Sequence, residues 1–487
     1  NAPRRGLSVW LYEPKGAKRS EISVITRLQS FIEKHLGQGV KVENALLLTG
    51  GASQETWRID VEHKGSLTPY CLRRAKDSES EQALDLGGVG LMVEAELIQA
   101  ARSVGVKAPQ IVALINEEDD LGIGFLMQWL EGETLGHKIA RAPEFASIRP
   151  ELARQCGEQL ALIHSMDTQP FLQTGSLQKM AAVDFIQQTY DQYLSLNMQQ
   201  PMLDYTARYL LENAPRQHDY VLNHGDFRSG NLMVDPNIGI SAVLDWELAS
   251  IADPAKDIAW LCVNSWRFGC NEFVVGGFGD LNDLLTAYNA NSGRKISADD
   301  IHYWMVFGSF WWSVCCLSMG NTYKTGVNTS LERPIIGRRA SEGQLDCVNL
   351  LLPQSFEIIP DEQNQALLPT DAELAEALQA HLKDNVAPLL SGKDKFLAQV
   401  AANAAGILAR SARFNASAVR QANNRLQALL GDCEPLEDLN ARLCEHIRAG
   451  LVDLDYLALQ AHLRATVEAQ VLIDQPQYVE FSKRGAG

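Results

Sequence analysis

A carboxylate followed five residues later by an amide is the part of this sequence that could do chemistry. Asp226 and Asn231 lie in the segment HGDFRSGNLMVD, and Asp245 follows in VLDWE. The residues between Asn231 and Asp245 predict two short strands joined by a turn at 236–239, a hairpin that would bring Asp245 back beside Asn231. Asn and Asp oxygens suit Mg²⁺, and a neighbouring aspartate can act on a hydroxyl. These parts are the ones that phosphoryl transfer needs, although an Asx turn would explain Asp226 or Asn231 taken singly.

The elements around this segment form a sheet-rich part followed by a helical part. Before Trp129, apolar periodicity predicts a small antiparallel sheet with one helix inserted and one helix in front of it. The predicted strands lie near 45–49, 57–61, 70–74, 111–115 and 124–128, and the helices at 21–36 and 89–104. After Trp129 the predicted helices lie at 149–165, 180–194, 201–213, 280–290 and 300–319.

The last quarter of the chain has a different composition. Residues 352–370 contain three prolines and little periodicity, which predicts a linker. Beyond it, segments rich in Ala, Leu, Glu, Gln and Arg predict four helices, at 371–387, 393–412, 415–430 and 436–471, the last one broken near Leu451–Asp453. This region contains no catalytic constellation, so we expect a helical accessory domain.

Composition and charge exclude several classes of protein. The 487 residues are 46% hydrophobic and 21% charged, which is typical of globular domains and favours two or three of them. A net charge of −17 argues against a nucleic-acid partner. The N-terminal residues lack the apolar stretch of a signal peptide, and the most apolar run, 303–319, favours a buried helix over a membrane span. Nine cysteines without CxxC spacing are typical of reduced thiols. We therefore expect a cytoplasmic protein without a membrane partner.

The ordered set HGDFRSGN, LMVD and LDWE resembles the catalytic and metal-binding segments of the aminoglycoside phosphotransferase family, which has a protein-kinase-like fold. The segment ADPAKDIAW at 252–260 resembles the family's GDPxxDLA segment. The resemblance covers about residues 25–350 and implies an ATP- and Mg²⁺-dependent enzyme. By this resemblance the catalytic aspartate is Asp226, the metal ligands are Asn231 and Asp245, and the supporting residues are His224, Glu247 and Asp257. For His224 and Asp257 the implied role is to brace the catalytic loop.

The resemblance implies an α+β fold of the bilobal protein-kinase-like type, with an antiparallel-sheet N-lobe and a mainly helical C-lobe, followed by an all-α domain. The expected organisation is a basic arm at 1–20, an N-lobe with its hinge at 21–130, a C-lobe at 131–351, a linker at 352–370 and an accessory domain at 371–487. That last domain could mediate a homodimer or dock a small protein partner.

The nucleotide-binding candidates also follow from the resemblance: they are Gly50, Gly51, Ser53, Arg73, Glu94, Gln128 and Leu130. Glycines allow backbone N–H groups to approach phosphates, although a plain hairpin turn would also explain Gly50 and Gly51. Arg73 occupies the basic position where protein kinases have a lysine, and arginine is a larger, bidentate phosphate ligand. Glu94 is the expected ion-pair partner of Arg73, with Glu96 as the alternative. Gln128 and Leu130 match the hinge whose backbone would meet adenine.

The acceptor is the least determined part of the prediction. An aromatic helix that includes Trp311 could line an apolar acyl site, or could simply be core. Three arginines after it, Arg333, Arg338 and Arg339, could bind phosphates or form a charged surface loop. The chain resembles phosphotransferases related to the kinase domain fused to some acyl-CoA dehydrogenases, which implies a hydroxyacyl-CoA acceptor. The alternatives are an aminoglycoside or other small-alcohol kinase, and a catalytically silent kinase-fold binding module.

Overall fold

The computed structural model describes residues 19–50, 54–75, 88–216, 219–352, 369–431 and 435–478. It divides the chain into two compact units. The first unit comprises Asn1–Arg102 and Pro109–Leu130, and the second comprises Ser103–Ala108 and Glu131–Gly487. Most of the predicted arm and of the predicted linker, residues 1–18 and 353–368, lie outside the described residues.

The first unit is built on a five-stranded antiparallel sheet with the strand order β1-β2-β3-β5-β4. Its strands are β1 (Lys41–Gly50), β2 (Gln54–His63), β3 (Ser66–Ala75), β4 (Ile111–Ile115) and β5 (Ile123–Gln128). Helix α1 (Arg19–Leu36) precedes the sheet and helix α2 (Leu91–Ser103) follows β3. Leu28, Phe31 and Ile32 of α1 lie three and four residues apart on one helix face, and they are buried against the sheet.

The second unit is mainly helical. Its helices are α3 (Gly136–Arg141), α4 (Arg149–Ile163), α5 (Gln169–Thr174), α6 (Ala182–Ser195), α7 (Pro201–Glu212), α8 (Pro254–Cys262), α9 (Leu281–Ser292), α10 (Ala298–Lys324), α11 (Glu332–Arg338), α12 (Ala340–Leu351), α13 (Asp371–Ala380), α14 (Gly392–Leu430), α15 (Leu436–Arg448) and α16 (Leu457–Asp474). Its short strands are β6 (Val221–Asn223), β7 (Leu232–Asp235), β8 (Gly239–Val243) and β9 (Ser250–Ala252), paired as β6–β9 and β7–β8. The predicted α+β architecture, a sheet-rich part followed by a helical part, is therefore confirmed.

The C-terminal helices differ in detail from their predicted bounds. The sequence predicts two helices at 393–412 and 415–430, whereas α14 is a single helix of 39 residues, because neither glycine nor proline interrupts the chain between them. The predicted break near Leu451 is confirmed by Gly450, whose φ of 67° ends α15. The helix predicted at 371–387 is α-helical only to Ala380, after which a π-helical turn spans His381–Val386.

The C-terminal helices pack on the helices that precede them within the second unit. Arg464 of α16 is almost fully buried, and its guanidinium donates to the backbone oxygens of Val348 and Leu352 at the end of α12. Tyr205 of α7 donates to the backbone oxygen of Leu454 over 3.2 Å. Across the described residues, no helix is both long and apolar enough to cross a membrane.

Candidate active site

The hairpin of β7 and β8 joins the two halves of the candidate site. Leu232 lies opposite Val243 in the pairing, and the backbone N–H of Leu244 donates to the oxygen of Asn231 over 2.9 Å. Asp245 follows directly, with a φ of 67° that is uncommon outside glycine. The predicted return of Asp245 to the side of Asn231 is thus confirmed.

Three side-chain donors fix the carboxylate of Asp226. Asn231 Nδ2 donates to Asp226 Oδ2 over 2.6 Å and to its backbone oxygen over 3.0 Å. Arg228 Nε donates to Oδ1 over 2.9 Å, and Trp260 Nε1 donates to the same oxygen over 2.6 Å. The side chain of Asp226 keeps an exposed fraction of 13%. The carboxylate is therefore held in one orientation and still faces solvent, as a group that acts on a substrate must.

The backbone before Asp226 is clamped by Asp257. Its carboxylate accepts from the backbone N–H of His224 over 2.7 Å and of Gly225 over 3.0 Å. Burial opposes ionisation of Asp257, but the hydrogen bond from His164 and nearby positive charges hold its pKa below the ordinary value. Gly225 has a φ of 85°, and a Cβ there would lie 1.9 Å from the backbone oxygen of Leu248, so this turn requires glycine.

Both ring nitrogens of His224 contact the backbone. Its Nδ1 accepts from the backbone N–H of Asp226 over 3.2 Å, and its Nε2 lies 3.0 Å from the backbone oxygen of Leu244. These partners assign the proton to Nε2 and the lone pair to Nδ1, which is the neutral imidazole. Complete burial lowers the pKa of His224 and keeps the ring neutral. The bracing role that the sequence implies for His224 and Asp257 fits these contacts.

The side-chain oxygen atoms of Asn231 and Asp245, beside Asp226, are of the kind that coordinates a hard divalent cation. Both hydrogen bonds of the Asn231 side chain use Nδ2, and within the described ranges no residue donates to its Oδ1. That carbonyl oxygen and the carboxylate of Asp245 are oxygen ligands of the type that Mg²⁺ takes, with phosphates and water completing the shell. Glu247 lies in the turn that follows Asp245 and is partly exposed.

In the first unit, Arg73 and Glu94 form the predicted ion pair. Arg73 Nη1 lies 2.7 Å from Glu94 Oε1, and the exposed fractions of the two side chains are 14% and 1%. Gln54 Oε1 accepts from Arg73 Nε and Nη2 over 3.2 and 3.1 Å, so the guanidinium is held from two sides. Glu96, the alternative partner, is exposed.

The other nucleotide-binding candidates are less fully described. Gly50 ends β1, whereas Gly51 and Ser53 lie outside the described residues. Gln128 is the last residue of β5, is exposed, and donates its backbone N–H to Gln110 over 2.8 Å. Leu130 follows β5 and is partly exposed.

Four tryptophans form a continuous row beside Asp226. Trp260, which donates to Asp226, has its ring centroid 5.1 Å from that of Trp311 and 5.2 Å from that of Trp266. Trp266 in turn lies 5.2 Å from Trp312. The guanidinium of Arg228 lies 4.5 Å above Trp266. We call Trp311, Trp260, Trp266 and Trp312 the tryptophan row.

The predicted aromatic helix therefore divides its residues between two roles. Trp304, Phe307 and Phe310 of α10 have exposed fractions of 2%, 4% and 0%, so they are core residues. Trp311 and Trp312 are partly exposed and belong to the tryptophan row. The core interpretation therefore holds for the first three of these residues, whereas Trp311 and Trp312 remain partly exposed.

The three arginines predicted as acceptor-site candidates do not form one cluster. Arg339 pairs with Glu342 over 3.1 Å. Its guanidinium lies 5.8 Å from the ring centroid of Trp312, so Arg339 lies beside the tryptophan row. Arg338 instead pairs with Asp474 of α16 over 3.2 Å, which directs it to the C-terminal helices and away from the expected cluster. Arg333 lies on α11 and is partly exposed.

Two residues that contact Asp226 were not identified from the sequence. Arg228 and Trp260 both lie inside motifs that point to the site, HGDFRSGN and ADPAKDIAW. Neither arginine nor tryptophan is a usual general base or metal ligand, so the motifs did not predict a role for Arg228 or Trp260. A signal was present for Trp260, which lies three residues after Asp257 on α8, one helical turn from the loop clamp.

Comparison with known proteins places these observations in a family. The profile of the phosphotransferase enzyme family (APH) matches residues 45–288, half of the chain, and a domain of unknown function (DUF6285) matches residues 388–478. A mouse protein, acyl-CoA dehydrogenase family member 10, is 32% identical over 236 residues, which are 45% of this chain and 21% of that protein. Acyl-CoA dehydrogenase family member 11 of Pongo abelii is 25% identical over 324 residues, which are 62% of this chain and 40% of that protein. The chain thus spans less than half the length of these relatives.

Among solved structures, a candidate aminoglycoside phosphotransferase from Ralstonia eutropha aligns with a TM-score of 0.52 at 19% identity. The alignment covers 67% of this chain and 97% of that one. At this identity the likeness is one of fold, and it agrees with the α+β architecture described above.

Proposed function

The chain belongs to the phosphotransferase enzyme family, and from that premise we propose that it transfers the γ-phosphoryl group of ATP to the hydroxyl of a small acceptor, a hydroxyacyl-CoA. The observation that carries the proposal is the set of Asp226, Asn231 and Asp245, held together by the β7–β8 hairpin. A binding module without activity would have no need for a fixed, solvent-facing carboxylate beside two oxygen ligands.

The proposed reaction is in-line transfer between two oxygens. The acceptor hydroxyl attacks the γ-phosphorus, its new P–O bond forms as the bond to the β–γ bridging oxygen breaks, and ADP leaves. Asp226 orients the hydroxyl and takes its proton, a role that requires the carboxylate orientation imposed by Asn231, Arg228 and Trp260. Because these three donors are already in place, little reorganisation accompanies the step.

Asn231 and Asp245 would hold Mg²⁺. A bound Mg²⁺ supplies charge neutralisation for the phosphate oxygens. The chain's own contribution is to present Asn231 Oδ1 outward by using Nδ2 for Asp226, and to place Asp245 at the end of β8. Glu247 lies close enough in sequence to support the same site.

The first unit supplies the proposed phosphate-binding arginine. The ion pair with Glu94 and the contact with Gln54 fix the guanidinium of Arg73, and a fixed planar donor suits a phosphate oxygen pair. In the proposal the backbone around Gly50, Gly51 and Ser53 covers phosphates, and the backbone near Gln128 and Leu130 meets the adenine.

Two observations support an acyl-CoA acceptor over a polycationic aminoglycoside. The side chains that contact Asp226 are a guanidinium, an indole and an amide, whereas an aminoglycoside site needs a ring of carboxylates. Trp311 and Trp312, the partly exposed members of the tryptophan row, offer an apolar surface to an acyl arm, and Arg339 lies beside Trp312. The names of the mouse and Pongo abelii relatives also associate them with acyl-CoA.

A coupled assay of ADP release tests the proposal. The purified chain is offered ATP and Mg²⁺ with 3- and 4-hydroxyacyl-CoAs, and in parallel with aminoglycosides, choline and sugars. We expect turnover with a hydroxyacyl-CoA. Turnover of an aminoglycoside with none for any CoA thioester would show that the acceptor is an aminoglycoside and not a hydroxyacyl-CoA. Nucleotide binding without turnover of any acceptor would favour the silent binding module.

A further inference from the structure

A cavity of about 350 Å³ lies within the second unit, away from the catalytic residues. Helices α7, α10, α11 and α12 line one side, and the C-terminal helices α14, α15 and α16 line the other. The volume is in the range of cavities that hold small ligands. None of Asp226, Asn231 and Asp245 contributes to its lining.

His462 of α16 lines this cavity in an unusual state. The residue has an exposed fraction of 1%, and neither ring nitrogen has a hydrogen-bond partner within the described part of the chain. Burial and the charge of Arg425 lower the pKa of His462 to about 3, so the imidazole is neutral at pH 7. A neutral imidazole carries one donor and one acceptor, and folded proteins seldom bury both without partners.

Arg425 of α14 lies beside His462 with its charge uncompensated. Its Nη2 donates to Thr466 Oγ1 over 3.3 Å, while its buried Nε contacts no acceptor among the residues described. Burial lowers the pKa of Arg425, and none of the described carboxylates pairs with it. Asp474, the acid that lines the cavity, is already bound by Arg338 over 3.2 Å and by Gln470 over 2.8 Å.

The remainder of the lining mixes apolar and polar side chains. Met202, Leu317, Val419 and Val467 contribute from both sides of the cavity. Burying the Nε of Arg425 and both ring nitrogens of His462 without partners costs free energy, and a bound ligand would relieve the cost at His462. A molecule with one anionic group and a short apolar tail would satisfy the polar end and fill the rest.

We propose that this cavity is a second ligand site, in which His462 and Thr466 of its lining bind the carboxylate or phosphate of a small amphipathic anion and Arg425, which donates to Thr466, supplies the positive charge. The site lies between helices α7, α10, α11 and α12 and the C-terminal helices α14, α15 and α16, so a bound ligand contacts both groups of helices. It is independent of the acceptor proposed above, because it uses none of the residues assigned to phosphoryl transfer or to the tryptophan row.

Calorimetric titration of the full chain without nucleotide tests the site. The probes share a six-carbon tail and differ in the head group: hexanoate, hexyl phosphate, hexanol and hexylamine. We expect at least one anion to bind with a dissociation constant below about 1 mM, and at least about tenfold more tightly than hexanol, because charge-assisted hydrogen bonds are the stronger ones. Equal binding of hexanol and both anions, or no binding of either anion at that concentration, would overturn the proposal.

Four variants assign the binding to this cavity. His462→Phe removes a hydrogen bond to the anion and Arg425→Met removes the nearby positive charge, so each should weaken anion binding by about tenfold or more. Arg420→Gln, an exposed arginine on the same helix, is the matched control and should bind normally. Trp311→Ala should also bind normally. If Trp311→Ala loses binding and Arg425→Met keeps it, the anion occupies the tryptophan row and this proposal is wrong.

Thermal melting of the unliganded variants separates a binding role from a structural one. His462→Phe removes an imidazole that has no hydrogen-bond partner among the described residues, and Arg425→Met removes a charge that no described carboxylate offsets, so we expect melting temperatures equal to or above that of the wild type. Failure of either variant to fold would make the residue structural and would contradict the proposal.

Discussion

The catalytic segment and the C-terminal helices both hold buried charges, but their partners come from very different distances along the chain. Asp226 is bound by Arg228 two residues away, by Asn231 five residues away and by Trp260 at a separation of 34. Asp204 of α7 is bound instead by Arg448 of α15, at a separation of 244. Tyr478 reaches Asp346 of α12 across 132 residues.

This difference has a functional meaning. The local contacts around Asp226 form a site that the phosphotransferase region assembles from its own loop and hairpin. The distant contacts attach the C-terminal helices to the same compact unit, so those helices are part of the enzyme's structure and not an independent appendage. Substitutions around Asp226 should therefore alter the rate of turnover. Substitutions in the contacts that attach the C-terminal helices should alter the free energy of unfolding.

The largest expected effect is on the chemical step. Asp226→Asn keeps the shape of the side chain but cannot take a proton, so turnover should fall by roughly 10²–10⁴-fold, the usual contribution of general-base help. The matched control is Asp235→Asn, because the Asp235 carboxylate only accepts from the backbone N–H groups of Asn237 and Ile238, as an asparagine side chain also can. Steady-state ADP release measures both, and wild-type turnover in Asp226→Asn would remove the aspartate from the mechanism.

The second effect concerns the attachment of the C-terminal helices. Arg448 binds the fully buried Asp204 over 2.6 and 3.2 Å, and Tyr190 and Tyr193 donate to the same carboxylate. Arg448→Met would leave that charge with two neutral donors. We expect a loss of roughly 2–3 kcal/mol of unfolding free energy, less than for a fully buried pair because a third of Arg448 is exposed.

Urea denaturation measures this loss, and Arg413→Met supplies the comparison. Arg413 pairs with Glu376 at the surface, where both side chains are more than a third exposed, so its removal should cost less than about 1 kcal/mol. Equal costs for Arg448→Met and Arg413→Met would show that the buried pair does not hold α15 in place.

The same contrast of distances explains what the sequence could predict. Asn231 and Asp245 could be placed together because a single hairpin joins them, whereas the pairing of Arg73 with Glu94 was implied by the resemblance to the aminoglycoside phosphotransferase family. The pairing of Arg338 with Asp474 was not identifiable, because it joins helices 136 residues apart. Arg228 and Trp260 were near enough in sequence, but their chemistry became visible only once their contacts with Asp226 were known.

A third effect extends the comparison to two neighbouring arginines of the first unit. Arg73→Ala should raise the Michaelis constant for ATP by about tenfold, because a charge-assisted contact to a phosphate is lost. It should also lower stability, because the buried Glu94 loses the charge of Arg73. Arg74 pairs with Glu55 over 2.9 Å and is buried, so Arg74→Ala should lower the melting temperature and leave the Michaelis constant of the folded enzyme unchanged. A collapse of stability in Arg73→Ala with normal kinetics would make Arg73 structural.

The smallest expected effect is a pH dependence of stability. It arises at Asp346, whose partner Tyr478 lies 132 residues away along the chain. Burial raises the pKa of Asp346 from 3.8 to about 7, although hydrogen bonds from Tyr478 and Asn264 partly oppose the rise. Between those two pH values the folded chain holds a proton that the unfolded chain has lost, so this contribution to stability is complete below about pH 4 and is lost as the pH rises through about 7. From pH 6 to 8 the loss should be on the order of 1 kcal/mol. Asp346→Asn should remove this part of the slope in urea midpoints measured at pH 6, 7 and 8, and Asp299→Asn, an exposed carboxylate of α10, should not. An unchanged slope in Asp346→Asn would mean that Asp346 is ionised across the whole range and that Tyr478 binds a carboxylate at every pH tested.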